Sequence, residues 1–352
     1  MGQNQPSLSV VITSYNYEAF ISTAIDSLLA QDPRPEIIVV DDCSTDDSRQ
    51  IIRDYGDQVI PVLLEKNQGQ GGAFNAGFAH ANGTLVMFLD ADDFMLPGGV
   101  ARILSNYDPD TAIYHYRMKY TDENGKLWGH YPPLESALAD GNVSEQLRTI
   151  GDYAGTITSG LVFARSALQQ VIPMDPDSYR YGADGYVTAT VPLYGDSAAY
   201  DEPMSAYRLH GRQHSKFAKA YAKRARWRVE HATERYESIK THAQKLGLDV
   251  VPNLGAADAG TIKERLISLL FEPEQHPYPE DTITNLSAQT KAAYAASDGA
   301  AKSTVRTIWW ALFKLAPMGA KQTLMSWDID AAARPAWLQS LGRTLRRRSS
   351  AE

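Results

Sequence analysis

Phe88-Leu89-Asp90-Ala91-Asp92-Asp93 places three carboxylates within four residues. They follow an apolar run, Thr84-Leu85-Val86-Met87-Phe88-Leu89, whose composition predicts a buried strand. Carboxylates this close repel one another, and ionising all of them requires a cation or a ring of donors. A divalent ion that itself holds a diphosphate meets that need. Mg²⁺ and Mn²⁺ prefer oxygen ligands and keep coordination positions open for phosphates. The plainer alternative is an acidic turn after a strand. No His-Glu-x-x-His or Cys-x-x-Cys pattern points to zinc.

The elements around this cluster alternate. Leu8 to Ile12 and Glu36 to Val40 are apolar strand runs, the second ending in Asp41-Asp42. Phe20 to Ala30 carries apolar residues at helical spacing. Ser44-Thr45-Asp46-Asp47 is a helix start, with the helix running to about Tyr55. Val59 to Leu64 predicts a third strand, Gly71 to Ala81 a glycine-led helix, and Pro97 to Ser105 another. Strands alternating with helices imply a mostly parallel sheet covered on both faces. Ligands of such sheets bind beyond the carboxyl ends of the strands, where Thr13, Asp41, Asp42, Asn67, Asp90 and Asp92 all fall. Residues 111–215 lose the alternation, and from about residue 216 the composition shifts to helix formers.

With 352 residues the chain exceeds what one core commonly holds, so a large domain with an appendage is expected. Its 43% hydrophobic and 22% charged content is ordinary for a soluble globular protein. A net charge of −8 argues against a nucleic-acid-binding surface over the whole molecule. The single cysteine, Cys43, cannot form an internal disulfide and fits a reducing compartment. The polar start reads as lacking a signal peptide. No stretch reaches the roughly 18 apolar residues needed to span a bilayer. A cytoplasmic location is expected, with peripheral contact at the inner face of the plasma membrane compatible with it.

Val10-Val11-Ile12-Thr13-Ser14-Tyr15-Asn16, Val39-Val40-Asp41-Asp42-Cys43-Ser44-Thr45-Asp46 and Leu89-Asp90-Ala91-Asp92-Asp93 together resemble the family 2 glycosyltransferases in order and spacing. Asn67-Gln68-Gly69 and Ala73-Phe74-Asn75-Ala76-Gly77 resemble the family's intervening loop and helix. The resemblance spans roughly residues 7–215. It implies a GT-A fold (a Rossmann-like, mostly parallel α/β sheet flanked by helices), with a C-terminal helical appendage beside it. A catalytic domain at 1–215 and a mostly helical region at 216–352 follow.

The resemblance further implies a nucleoside-diphosphate sugar donor, Mn²⁺ or Mg²⁺, and inversion at the anomeric carbon. Thr13 and Tyr15 would hold the base and ribose, although a half-buried packing role explains Tyr15 equally. Asp42 would accept a pyrimidine N–H, favouring UDP, while Asp41 reads as a turn or cap carboxylate. Asn67 and Gly72 would bring amide and backbone groups to the nucleotide. Asp90 and Asp92, with His210, would hold the metal of an Asp-x-Asp motif, Asp90 also facing the ribose. Within Tyr181-Gly182-Ala183-Asp184-Gly185-Tyr186, Asp184 would be the general base, with Asp196 and Asp201 as alternatives. Arg208, in Tyr207-Arg208-Leu209-His210, would reach the diphosphate. The family often has Arg where Phe74 stands and Glu where Ala183 stands. Thr158-Ser159-Gly160 would line the acceptor pocket.

The implied activity is hexosyl transfer to a hydroxyl of a glycan or lipid-linked glycan acceptor in bacterial polysaccharide biosynthesis. A sugar nucleotidyltransferase would need a Gly-rich phosphate loop after the first strand, and Thr13-Ser14-Tyr15-Asn16 is not one. A phospho-acceptor receiver leaves the Asp90–Asp93 cluster unexplained, and binding of sugar nucleotide without turnover stays open. Trp309, Trp310, Leu312, Phe313 and Leu315, followed by Lys321, Arg343, Arg346, Arg347 and Arg348, suit a membrane interface, domain packing or a homo-oligomer contact.

Overall fold

The computed structural model describes residues 5–210, 221–297, 309–329 and 335. By packing, the chain divides into two units: residues 1–213 with 234–254, and residues 214–233 with 255–352. The first boundary lies close to the expected 215/216, but residues 234–254 return to the first unit.

Four strands lead the first unit: β1 (Leu8–Ser14), β2 (Glu36–Asp41), β3 (Ile60–Leu63) and β4 (Leu85–Asp90). They pair in parallel in the order β3-β2-β1-β4. β1, β2 and β4 are buried along nearly their whole length, which is why they read as continuous apolar runs. Alternation divides them between two cores. Val10, Ile12, Ile37 and Val39 pack with Ile21, Ile25 and Leu28 of α1 (Ile21–Leu29). Val11, Ile38, Val40, Val86 and Phe88 pack with Ala73 and Phe74 of α3 (Gly69–His80), the intervening α2 being Ser48–Asp54. A Cβ on Gly77 would sit 2.2 Å from Val11 Cγ1, so only glycine lets α3 lie this close to β1.

Beyond β4 the sheet becomes mixed. β8 (Leu161–Ala164) pairs antiparallel to β4 and to β6 (Thr111–Thr121). β6 runs parallel to β9 (Asp196–Arg208), whose far edge takes the short β5 (Phe94–Met95), and β7 (Leu127–Tyr131) forms a hairpin with β6. The expected α/β architecture is therefore present, with its parallel portion concentrated at β3-β2-β1-β4. Thr158–Gly160 forms a 3₁₀ turn ahead of β8. The other described helices here are α4 (Gly99–Ser105), α5 (Ser144–Thr149), α6 (Arg165–Leu168) and α7 (Ala183–Thr190).

Helix α8 (Tyr221–Lys245) contributes its later part to this unit. There His242 lies 3.1 Å from the Tyr186 hydroxyl and 2.7 Å from that of Tyr194. Burial lowers its pKa to about 4.

The second unit is helical. α9 (Ala259–Phe271) starts at Asp258, whose side chain accepts the Thr261 N–H at 3.0 Å. Its core joins Ile262, Leu266, Ile267 and Leu270 to Leu286 of α10 (Ile283–Ser297), to Trp310 and Phe313, and to Met325 of the helix Met318–Ile329. Packing thus accounts for Trp310 and Phe313, whereas Leu312 and Leu315 are exposed. Arg343, Arg346, Arg347 and Arg348 lie outside the described residues. No helix among the described residues is long and apolar enough to cross a membrane.

Candidate active site

The parallel strands β1, β2 and β4 end side by side, because Thr13 is in register with Val40 of β2 and Asp90 of β4. The Thr13 carbonyl accepts the Ala91 N–H at 3.2 Å, which ties the acidic turn to β1. Tyr15 stands 46% exposed just beyond, open to a ligand rather than packed in a core.

At the end of β2 both carboxylates accept backbone N–H groups, although Asp41 Oδ2 is buried without a hydrogen-bond partner and burial raises the Asp42 carboxyl. Asp41 Oδ1 accepts the Ser44 N–H at 2.9 Å and lies 3.3 Å from Arg49 Nε, the arrangement of a turn carboxylate. Asp42 accepts the Gln68 N–H at 2.6 Å and the Gly69 N–H at 2.8 Å, one on each oxygen. Asn67 Nδ2 donates to the Asp42 carbonyl at 3.0 Å, and Arg180 donates to the Asn67 side chain. Asp42 and Asn67 are therefore the anchors of the 67–69 loop in this structure. Gly72 has a packing reason as well, since a Cβ there would fall 2.3 Å from Gln68 Cβ.

At the end of β4 the carboxylates have fewer donors among the described residues. Asp93 Oδ1 accepts the Arg208 N–H at 2.9 Å, but Asp93 Oδ2 is buried without a hydrogen-bond partner. Burial first, then Asp92 and Asp184, push the Asp90 carboxyl well above its usual range. Burial, Asp92 and Asp90 do the same to Asp93. His210 Nε2 lies 2.9 Å from Asp92 Oδ2, and its ring packs 4.9 Å from that of Phe20.

Arg208 is buried between the rings of Phe20 and Phe94, at 5.1 and 5.3 Å. Its Nε donates to the Asp92 carbonyl at 2.7 Å, and Nη1 donates to the carbonyls of Asp122 and Glu123 at 3.3 Å. The guanidinium thus braces the acidic turn from behind.

Asp184 occupies the first turn of α7, after Gly182 in the left-handed conformation (φ 76°). Its Oδ1 accepts the Gly185 N–H at 2.9 Å and its Oδ2 accepts the Thr158 hydroxyl at 3.2 Å. Asp184 is also among the charges that raise the Asp90 carboxyl. The 3₁₀ turn therefore sets the α7 carboxylate against the β4 carboxylate. Of the alternatives, Asp201 is paired with Arg117 Nε at 2.7 Å and Asp196 accepts from Asn142 at 3.1 Å, both on β9.

The family-typical residues absent here have a physical account. Phe74 stacks on Phe88 with ring centroids 3.7 Å apart, and Ala183 is fully buried in the same core. Neither position points a side chain at the acidic turn.

Tyr17 and Arg180 were not singled out by sequence, and Ser159 was read as lining the acceptor pocket rather than holding the acidic turn. Tyr17 faces the acidic turn, and burial with the Asp92, Asp90 and Asp93 charges holds its phenol protonated. Ser159 Oγ accepts the Asp90 N–H at 3.1 Å, and Arg180 clamps the 67–69 loop. Tyr17 lies in a loop, where periodicity cannot say which of two nearby tyrosines is buried.

Among the described residues, no three His, Cys, Asp or Glu side chains form a gathered ligand set. The pieces nevertheless suit a divalent cation. An orphaned buried carboxylate oxygen, two carboxyls raised by burial and by neighbouring carboxylates, and one imidazole supply the oxygen-rich donors that Mg²⁺ or Mn²⁺ takes.

Residues 9–172 match the family model described as glycosyl transferase family 2. An uncharacterized glycosyltransferase of Nostoc sp. is 37% identical over 209 residues, covering 58% of this chain and 65% of that protein. The GalNAc(5)-diNAcBac-PP-undecaprenol beta-1,3-glucosyltransferase of Campylobacter jejuni is 36% identical over 203 residues, covering 55% and 62%. The chain thus spans slightly under two thirds of the length of these two relatives. Two solved structures share the fold. S. aureus TarS 1-349 in complex with UDP-GlcNAc has 16% identity, 91% coverage of each chain and a TM-score of 0.50. The mannosyltransferase PcManGT of Pyrobaculum calidifontis, in complex with GDP-Man and Mn²⁺, has 17% identity, coverage of 95% and 88%, and a TM-score of 0.52.

Proposed function

From the match of residues 9–172 to the glycosyl transferase family 2 model, we propose that this chain is a metal-dependent, inverting glycosyltransferase. It moves a hexosyl group from a nucleoside-diphosphate sugar, UDP-linked by preference, to a hydroxyl of a glycan or lipid-linked glycan. The C. jejuni relative, whose name includes a polyprenyl-diphosphate-linked glycan, supports that acceptor class and a place in bacterial polysaccharide synthesis. The setting of Asp184, held by Thr158 and close enough to Asp90 to raise its carboxyl, carries the proposal, because it opposes a donor-side carboxylate to a second one able to act on an incoming hydroxyl.

Thr13 and Tyr15 border the base and ribose, and Asp42, through lone pairs not used on Gln68 and Gly69, takes the uracil N3–H. Asn67 and Gly72 keep the adjoining loop and helix start close to the nucleotide. Asp90, Asp92 and His210 would hold Mn²⁺ or Mg²⁺, which offsets charge on the departing diphosphate. Arg208 fixes the turn that presents Asp92. Asp184 takes the proton of the acceptor hydroxyl as its oxygen bonds to the anomeric carbon. The bond from that carbon to the diphosphate oxygen breaks with its electron pair leaving on the nucleotide, and configuration inverts.

Asp184→Asn tests the assignment. Transfer should fall about 10²–10⁴-fold, the usual contribution of a general base, while UDP affinity stays unchanged. Near wild-type transfer by this variant, or retained anomeric configuration in the product, would overturn it.

A further inference from the structure

Four aromatic rings run from the acidic turn toward the tip of the β6–β7 hairpin. Tyr207 of β9 directly precedes Arg208, whose N–H is held by Asp93. Tyr207 is in register with Tyr120 of β6, and Tyr120 with Trp128 of β7, so three rings line up across three strands. Centroid separations are 6.1 Å for Tyr207–Tyr120 and 6.0 Å for Tyr120–Trp128. Tyr131 fills the angle, 5.4 Å from Tyr207 and 5.9 Å from Tyr120. Exposure increases outward: Tyr207, Tyr120 and Tyr131 are half-buried, and Trp128 is 42% exposed. Burial, together with Asp93 and its neighbours, keeps the inner Tyr207 phenol protonated and able to donate.

Cross-strand packing alone would stabilise the hairpin, but it gives no reason for a tryptophan left open to water at the outer end of the row. We propose that this row is an acceptor subsite that binds an extended, neutral glycan of several sugar units, with its reacting end at Asp184 and its trailing units over Tyr120 and Trp128. The proposal rests on the glycosyltransferase reading and goes beyond it in naming where the acceptor lies and that it is a chain. Tyrosine and tryptophan offer an apolar ring with a polar edge, which suits a pyranose with one C–H face and a rim of hydroxyls. A membrane-binding patch would pair apolar side chains with basic ones. The connecting turn instead holds Asp122 and Glu123 against Lys126 alone, an acidic balance unsuited to anionic lipid.

The test titrates full-length protein with cello-, malto- and chito-oligosaccharides of two to six units, by saturation-transfer NMR and calorimetry. UDP with Mn²⁺ is measured in parallel on the same samples. At least one series should bind wild type more tightly with length. Trp128→Ala should weaken the longer members about tenfold, Trp128→Phe should restore most of the loss, and UDP affinity should stay within about twofold. Equal oligosaccharide binding by wild type and Trp128→Ala would overturn the proposal, as would no binding in any series. So would Trp128-dependent binding to phosphatidylglycerol vesicles in place of the sugars. Loss of UDP binding in the wild type itself would instead reject the glycosyltransferase reading.

Discussion

The ends of β2 and β4 carry the same sequence signal, consecutive carboxylates after an apolar strand, and the fold treats them differently. At β2, Asp41 has Ser44 and Arg49, and Asp42 has two backbone amides. At β4, among the described residues, the Arg208 guanidinium donates to carbonyl oxygens, and Asp93 keeps a buried oxygen without a hydrogen bond, as Asp41 does at β2. Both places are acidic, but among the described residues Asp41 has a guanidinium beside it, that of Arg49, whereas Asp92 has only the His210 imidazole. Compensation, rather than the number of carboxylates, is what separates the β2 turn from the β4 turn proposed to take a cation.

That contrast can be broken from either side. The largest effect is expected at the compensated end. Asp42→Ala removes the acceptor of two charge-assisted hydrogen bonds and should cost about 1.5–3 kcal/mol of stability. UDP affinity should fall with it, and wild type should prefer UDP to GDP. An unchanged melting temperature would mean that Asp42 does not hold the 67–69 loop. Preference for GDP would reject its role in reading the base.

At the uncompensated end the sign reverses. Because the Asp90 and Asp93 carboxyls are raised on folding, they favour the folded state fully below the usual carboxylate pKa. That contribution is lost as pH rises through their elevated values. Asp93→Asn keeps the acceptor for the Arg208 N–H and removes the charge. In EDTA it should be more stable than wild type by about 1 kcal/mol near neutral pH, with the advantage shrinking toward pH 4. Thermal melts across that range check it, and a variant less stable than wild type at neutral pH would contradict the account.

The smallest effect returns to β2. Cys43 adopts the left-handed conformation (φ 65°) between Asp42 and Ser44. Relief of that strain by Cys43→Gly, offset by glycine's greater unfolded entropy, should leave a gain of about 0.5 kcal/mol. UDP affinity should not change. A loss of stability in denaturant titrations would show that the cysteine side chain contributes more than its backbone costs.

Much of the parallel half was legible because strands buried on both faces have continuous apolar runs, and their ends mark the ligand crevice. The long strand β9 was not. Asp196–Arg208 contains Asp, Ala and Pro without clean alternation, and its pairing with β6 is fixed by residues distant in sequence. Sequence named Asp90, Asp92, His210 and Asp184, and the fold pairs His210 with Asp92 and sets Asp184, held by Thr158, close enough to Asp90 to raise its carboxyl. It could not show that Phe74 and Ala183 lie in the core, nor that Arg208 turns toward carbonyls. Such outcomes depend on which way a side chain points once non-local strands have paired.

The central claim is that the β4 carboxylates need a cation before they can hold a nucleoside diphosphate. Calorimetry of UDP binding to wild type and Asp92→Ala, each in Mn²⁺ and in EDTA, tests it most directly. Wild type should bind UDP tightly in Mn²⁺ and weakly in EDTA, and Asp92→Ala should bind weakly in both. Equal UDP affinity of the wild type in the two conditions would contradict the account.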